Sequence, residues 1–382
     1  MRSSRPANLA PDSVKSSAAT GTRRPSSAAV LCALSAALAL CALIPASLSG
    51  DSGTGDSHLR LEFPRAPRQD GTYRNLDPEF RRASNWARLR VYMLSFMAIV
   101  KGEHHFVPLP VAVPDLTTLR ANRHQSTVTW IGHSTVLVQL DGVTFLTDPI
   151  WSNRSGPLSG TVGVPRFTPP GIPFDQLPAI DLVLISHDHY DHLDEPTVRR
   201  LARVFNPRFV VPLGIKGWLQ DRGITNVSEL DWGESISFKG LQIVCTPAQH
   251  GSGRTLADSG LRLWSSWAVI GSKRFYFAGD TGYAPHFEMI GRILGPFDLA
   301  ALPIGSYSPR FIAKPIHMSP EDALQALGDL RSAKFIGIHW GTFELAHEPY
   351  DEPPRRVAAE ATRLGLDPKS ILLPKPGEVL GW

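Results

Sequence analysis

Cysteine is scarce. The chain of 382 residues has three, Cys32 and Cys41 in an apolar leader and Cys245 far downstream. No disulfide framework and no cysteine-based zinc knuckle can be built from that set, so any metal must be held by His, Asp or Glu. A large excess of one charge is missing too. The net charge of +4 does not by itself imply nucleic acid, and no basic-aromatic patch or added nucleic-acid module is visible. Convincing internal repeats are absent. Between Arg24 and Asp51 there is no charged residue at all. Arg2, Arg5, Lys15, Arg23 and Arg24 precede this run against Asp12 alone, and a basic stretch before an apolar one is the pattern of an export signal. Ser47-Leu48-Ser49 before Gly50 supplies a cleavage site, although the run is also nearly long enough for an uncleaved anchor. In both readings the rest of the chain is membrane-associated or exported, outside the cytoplasm. The alternative is an Ala-rich extension with no such role.

Three segments follow from these shifts in composition: a leader over 1–50, a linker and amphipathic segment over 51–115, and a domain over 116–382. Residues 51–75 are polar and rich in Gly, Ser, Arg and Asp, which reads as a linker. From Asp77 to Lys101, four arginines (Arg81, Arg82, Arg88, Arg90) alternate with Trp86, Tyr92, Met93, Phe96 and Met97. A basic aromatic helix of this kind either packs on the domain or lies on an anionic bilayer. Beyond Ser126, apolar runs predict strands at 127–131, 135–140, 143–147, 182–185, 209–211, 242–245, 266–270, 274–277, 299–302 and 335–338, with Asp141-Gly142 as a hairpin turn. Helices are predicted at 195–205, 215–222, 285–294, 320–328 and 353–364. Two sheets flanked by helices fit this count, an α/β class.

The densest chemistry lies in Ser186-His187-Asp188-His189-Tyr190-Asp191-His192-Leu193-Asp194, which follows the buried-strand pattern Asp181 to Ile185. His187 and His189 are two apart, so an extended backbone aims both imidazoles to one side. Asp191 and His192 come as the chain turns and can reach a second ion. Imidazole and carboxylate suit zinc or another first-row metal. His250, Asp280 and His339 each close a later strand, where an α/β scaffold collects site residues.

The whole set, His187, His189, Asp191, His192, His250, Asp280 and His339, resembles the metallo-β-lactamase superfamily. Flanking text narrows the resemblance. Trp130-Ile131-Gly132-His133-Ser134, Thr147-Asp148-Pro149, Glu229-Leu230-Asp231-Trp232, Ala278-Gly279-Asp280-Thr281-Gly282 and Ile338-His339-Trp340-Gly341-Thr342 resemble the branch of phospholipases D that hydrolyse N-acylphosphatidylethanolamine. The likeness runs from about Thr127 to the C-terminus and leaves the leader uncovered. It implies an αββα sandwich, two zinc ions per chain and a homodimer. His187, His189 and His250 would hold one zinc, Asp191, His192 and His339 the other, and Asp280 would bridge them. Asp148 and His133 would support the site from behind. His317 matches a family histidine near the substrate phosphate, but Ile316 stands where the family often has Gln. His133 lies at the pocket rim or hydrogen-bonds a turn. Catalysis would fall to Asp280, His317 and Asp191. The implied reaction is hydrolysis of a phospholipid at a membrane surface, giving N-acylethanolamine and phosphatidic acid, with Trp86 to Phe96 and Trp264 to Trp267 as candidates for an acyl groove. The rivals are a same-fold hydrolase of a soluble lactone or phosphodiester, since fold does not fix substrate, and a non-catalytic metal-binding envelope protein.

Overall fold

The computed structural model describes residues 59–81, 107–255 and 257–382, with isolated positions 83, 84, 86, 87, 90 and 93. The leader and most of the helix expected over Asp77 to Lys101 lie outside the described residues. Among the described residues, no helix is long and apolar enough to cross a membrane.

In chain order the strands are β1 (Leu59–Arg60), β2 (Thr127–Gly132), β3 (Thr135–Leu140), β4 (Val143–Thr147), β5 (Leu182–Leu184), β6 (Arg208–Pro212), β7 (Val227–Leu230), β8 (Glu234–Phe238), β9 (Leu241–Thr246), β10 (Ser266–Ile270), β11 (Arg274–Phe277), β12 (Leu299–Pro303), β13 (Phe335–Ile338), β14 (Ile371–Leu372) and β15 (Val379–Gly381). The main helices are α1 (Leu116–Ala121), α2 (Glu195–Phe205), α3 (Ile215–Gln220), α4 (His286–Leu294), α5 (Pro320–Asp329) and α6 (Glu352–Arg363). Eight strands form one mixed sheet in the order β1-β8-β9-β10-β11-β12-β13-β14, and seven form a second in the order β7-β6-β5-β4-β3-β2-β15.

Alternation along the strands sorts side chains into layers. Ile243, Cys245, Trp267, Val269, Phe275 and Phe277 of the first sheet meet Val128, Trp130, Phe145, Leu182 and Leu184 of the second in a central core. Val244, Ala268 and Tyr276 point the other way, onto Phe287, Leu324 and Val357 of α4, α5 and α6. On the far side, Leu146, Val183 and Phe209 pack against Leu119, Leu201 and Leu219 of α1, α2 and α3. The result is αββα. Both faces of each sheet are covered, which is why the strands read as near-continuous apolar runs. The β3–β4 hairpin turns on Asp141 and Gly142, both at positive φ (50° and 78°), with Leu140 opposite Val143, the type I′ geometry that Asp-Gly favours.

Residues 59–75 are not a free linker. β1 pairs with β8 (Leu59 opposite Ser235), Arg60 lies 3.5 Å from Glu234, and Phe63 and Tyr73 are buried. Apolar anchors spaced through polar text dock this arm on the domain. Trp264 and Trp267 belong to the core rather than to a membrane-facing groove, being 3% and 0% exposed. Trp86 is 74% exposed.

Candidate metal centre

The topology gathers the predicted site residues at one edge. β2, β4 and β5 run in one direction within their sheet, and β9, β11, β12 and β13 share a direction in the other. His133 and Asp148 follow β2 and β4, the 187–192 loop follows β5, and His250, Asp280 and His339 follow β9, β11 and β13. Every one of these lies past the C-terminal end of its strand, where backbone leaves the ladder and side chains are free to converge. The Ser265 N–H donates to the Ser186 carbonyl at 2.8 Å and ties the two sheets together there.

Two clusters result. His187 Nε2 lies 2.8 Å from His189 Nδ1, and His250 Nε2 lies 3.3 Å from the same atom. Beside them, Asp191 Oδ2 is 2.9 Å from His133 Nε2, 3.2 Å from His192 Nε2 and 3.5 Å from His339 Nε2. Asp280 stands between the clusters. One oxygen is 3.2 Å from His192 Nε2 and 3.8 Å from His250 Nε2, and the other is 3.1 Å from His339 Nε2. His317 Nδ1 approaches Asp280 to 3.8 Å.

Outer contacts aim the rings. His250 Nδ1 donates to the Ile316 carbonyl at 2.9 Å, and His192 Nδ1 donates to Asp148 at 2.7 Å, so Nε2 of each points inward. Asp148 also accepts from the Ser186 N–H (2.7 Å) and hydroxyl (2.5 Å), which leaves the Ser186 oxygen to accept from His187 Nδ1 at 2.8 Å. Burial pushes the Asp148 carboxyl up, and its three donors pull it back only in part. His133, Asp148 and His339 sit at φ of 53°, 33° and 60°, a left-handed region that side chains seldom adopt and that is found at functional sites.

The electrostatics are those of a crowded, dry pocket. Burial lowers the pKa of His187 well below the ordinary value, and its histidine neighbours push the same way. His133 is driven to about 3 and His317 to about 4, burial being the main cause in both. For Asp191 and Asp280, burial is outweighed by the charge of His192, joined by the His133 hydrogen bond at Asp191 and by His339 at Asp280, so both stay well below the carboxylate range.

The donor set fits metal ions. His192 Nε2, Asp280 Oδ1, His317 Nδ1 and both ring nitrogens of His339 are buried with no hydrogen-bond partner. Buried polar atoms without partners are rare in proteins, and a group of them converging from His and Asp calls for a cation. Groups able to hold one include His187, His189 and His250, and Asp191, His192 and His339 with His133.

Some placements differ from the sequence reading. His133, one of the residues expected to support the ligands, is buried away from the pocket rim, and its ring bonds Asp191. Its carbonyl accepts from the His339 N–H (3.0 Å) and the Trp130 indole (2.8 Å), welding β2 to the end of β13. Ile316 contributes through its carbonyl, so the side chain that departs from the family pattern is not what touches His250. Asp188 faces away from the centre, pairing with Arg262 at 2.7 Å. Asp194 accepts from Ser152 and Thr197. Sequence reasoning missed Arg254, whose Nη1 donates to the carbonyls of Asp188 and Leu193, both at 2.8 Å, and so clamps the two ends of the ligand loop. It also missed Asn75, which bonds the backbone of His250. Neither residue is a ligand type, and nothing in the local text marks them.

A cleft of about 950 Å³ flanks His250, bounded by Tyr73, Phe80 and Arg81 on the arm side and Trp264 on the domain side. Of the inward-facing groups, Asp191 and His317 keep side-chain exposures of 13% and 17%, whereas His192 and His339 have 0% and 1%. With His189 also half-buried, the centre opens past His189, Asp191 and His317.

Fold and site together define a metal-dependent hydrolase of the β-lactamase fold. The beta-lactamase superfamily domain matches residues 143–340. The chain is 47% identical over 266 residues to N-acyl-phosphatidylethanolamine-hydrolyzing phospholipase D 1 of Caenorhabditis elegans, covering 66% of this chain and 74% of that protein. It is 40% identical over 341 residues to an uncharacterised protein of Mycobacterium tuberculosis, covering 87% and 88% of the two chains. Among solved structures, a metallo hydrolase of the archaeon Ignicoccus hospitalis superposes with a TM-score of 0.51 at 25% identity, over 68% of this chain and 99% of that one. The chain belongs to the metallo-β-lactamase superfamily, in the branch that includes the N-acylphosphatidylethanolamine-hydrolysing phospholipases D.

Proposed function

We propose that the protein is a phospholipase D-type phosphodiesterase that cleaves N-acylphosphatidylethanolamine to N-acylethanolamine and phosphatidic acid. The observation that carries this reading is the two-lobed cluster of His and Asp side chains joined by Asp280, with buried atoms of His192, Asp280, His317 and His339 lacking partners, in a chain 47% identical over 266 residues to an enzyme named for that reaction. Two zinc ions, one among His187, His189 and His250 and one among Asp191, His192 and His339 with Asp280 between them, would lower the pKa of a water and neutralise phosphate charge.

The chain's own groups do the rest. His133 and Asp148 hold Asp191 and His192 in one orientation, so no reorganisation is needed when charge develops. His317, with its pKa near 4, is neutral at pH 7 and stands at the mouth. A neutral imidazole there can donate its one ring N–H to a phosphate oxygen without adding charge, and the proton that the departing ethanolamine oxygen takes up would come from the attacking water. The cleft of about 950 Å³ beside His250 would take part of such a substrate, a headgroup or one acyl chain. The leader, as an export signal or anchor, would bring the domain to a membrane surface outside the cytoplasm.

Incubation of the zinc-loaded protein with N-acylphosphatidylethanolamine in mixed micelles, with assay for both products, tests this. Release by wild type and none by Asp280→Asn is the expected result. Metal uptake without release, together with hydrolysis of a lactone or soluble phosphodiester, would keep the centre and discard the lipid.

A further inference from the structure

The arm that precedes the family-matched region reaches the metal centre. It is anchored by β1, by Arg60 donating to the Trp232 carbonyl (3.0 Å), by the Ala66 N–H on Asp231 (3.2 Å) and by the Tyr73 N–H on the Gly260 carbonyl (2.8 Å). Two residues after Tyr73 comes Asn75. Its Nδ2 donates to the His250 carbonyl at 3.0 Å, and its Oδ1 accepts from the His250 N–H, also at 3.0 Å. The same oxygen accepts from the Trp264 indole at 3.0 Å.

His250 lies four residues past the end of β9, beyond the reach of the sheet's own ladder. A single side-chain amide satisfies both its backbone groups, as a neighbouring strand would. Only a primary amide offers donor and acceptor in that spacing. With its backbone held by Asn75 and its ring by the Ile316 carbonyl, His250 has one orientation, and Nε2 points at His189 Nδ1.

We infer that Asn75 is a positioning residue for the metal centre, and that arm docking and metal binding at His187, His189 and His250 are coupled. The inference rests on the metal-centre reading above. A docked arm raises metal affinity, and bound metal holds the arm down by the same factor, since linkage is reciprocal. Partners that orient a metal ligand are worth roughly tenfold to a hundredfold in affinity.

The test uses the full chain, with Co²⁺ titrated against its visible absorption and hydrogen exchange of the Tyr73 and Arg74 amides followed with and without Zn²⁺. Asn75→Ala is expected to weaken one of two Co²⁺ binding steps by about tenfold or more and to leave the other unchanged. Zinc should slow exchange in the arm of wild type and not in the variant. Asn75→Asp, which keeps the acceptor and loses the donor, should fall between. Arg68→Ala, on the arm but away from His250, should bind as wild type. Unchanged Co²⁺ affinity in Asn75→Ala overturns the inference, as does arm exchange in wild type that ignores zinc. Equal weakening of both steps with loss of sheet signal in circular dichroism also overturns it, because it marks general unfolding. A wild type that takes up no Co²⁺ sinks the metal-centre reading itself.

Discussion

Replacing Asp148 by Asn changes one atom of the carboxylate and should reset the histidine bonded to it, His192. Asp148 receives three donors: the Ser186 N–H, the Ser186 hydroxyl and His192 Nδ1. An amide has one oxygen and one NH₂. If the NH₂ faces Ser186, a buried backbone N–H loses its acceptor, at about 1–3 kcal/mol. If it faces His192, Nδ1 can no longer donate, and the proton moves to Nε2, the atom aimed at Asp280. In that tautomer His192 cannot offer Nε2 to a metal without restoring the clash. Loss of such an orienting partner corresponds to roughly tenfold to a hundredfold in affinity, or about 1.4–2.7 kcal/mol. Asp148→Ala goes further: three buried donors stay unpaired, which at about 1 kcal/mol or more each destabilises the fold by about 3 kcal/mol. Competition with a chromogenic chelator gives the affinity, and long-range ¹H–¹⁵N spectra of the imidazoles give the tautomer. Wild-type affinity in Asp148→Asn, with His192 still protonated at Nδ1, would refute the reasoning.

Metal uptake should release protons. Burial opposes the charged form of His192, but Asp280 and Asp191 lift it well above the ordinary histidine value, and against the same burial the nearby Asp280 and Asp191 carboxylates lift His339 to about 9. At that value His339 carries a proton at pH 7 that a metal must displace, so protons should leave on binding and affinity should fall as the pH is lowered; calorimetry in buffers of different ionisation heat reads the number, and none released would refute it. Gly279 sits at φ 59°, and a Cβ there would stand 2.5 Å from Ser186 Cβ. Gly279→Ala should therefore cost about 2 kcal/mol or more in urea unfolding, and a neutral outcome would count against the tight β11–loop approach. Burial, then Glu348, raises Glu344 from 4.5 to about 7. A raised acid binds more protons folded than unfolded, so it costs stability as pH climbs through that window. Glu344→Gln should raise Tm at pH 8 and not at pH 4; an equal shift at both would sink the assignment.

The core strands were legible because both faces are buried. Val183 and Leu184 point to opposite layers, yet both must be apolar. Helix α2 spans the predicted 195–205, with Pro196 in its first turn and Asn206, in the left-handed conformation, at its end. β7 (Val-Ser-Glu-Leu) and β8 (Glu-Ser-Ile-Ser-Phe) went unread, since one polar-flanked apolar residue in two or three is a weak strand signal and neighbours supply the rest. α1 has six residues and is set by the Asp115 cap rather than by periodicity. In the site, histidines and aspartates at strand ends announced themselves by type. Of the residues that hold them, Asp148 and His133 were marked by the family resemblance, and Asn75 and Arg254 were not. Asn75 is 175 positions from His250, and Arg254 is 61 from Leu193, distances that a single sequence does not span.

The two residues of β1 do a second job at the rim of the eight-stranded sheet. β8 would otherwise be an outer strand, with its backbone N–H and C=O groups open to any extended segment of another chain. β1 covers Glu234 and Ser235, and Arg60 places a cation on the new boundary. A strand this short, ending in charge, is a poor template for further pairing. Proteolytic loss of the arm would therefore uncover a sticky edge, and self-association would be its first visible symptom.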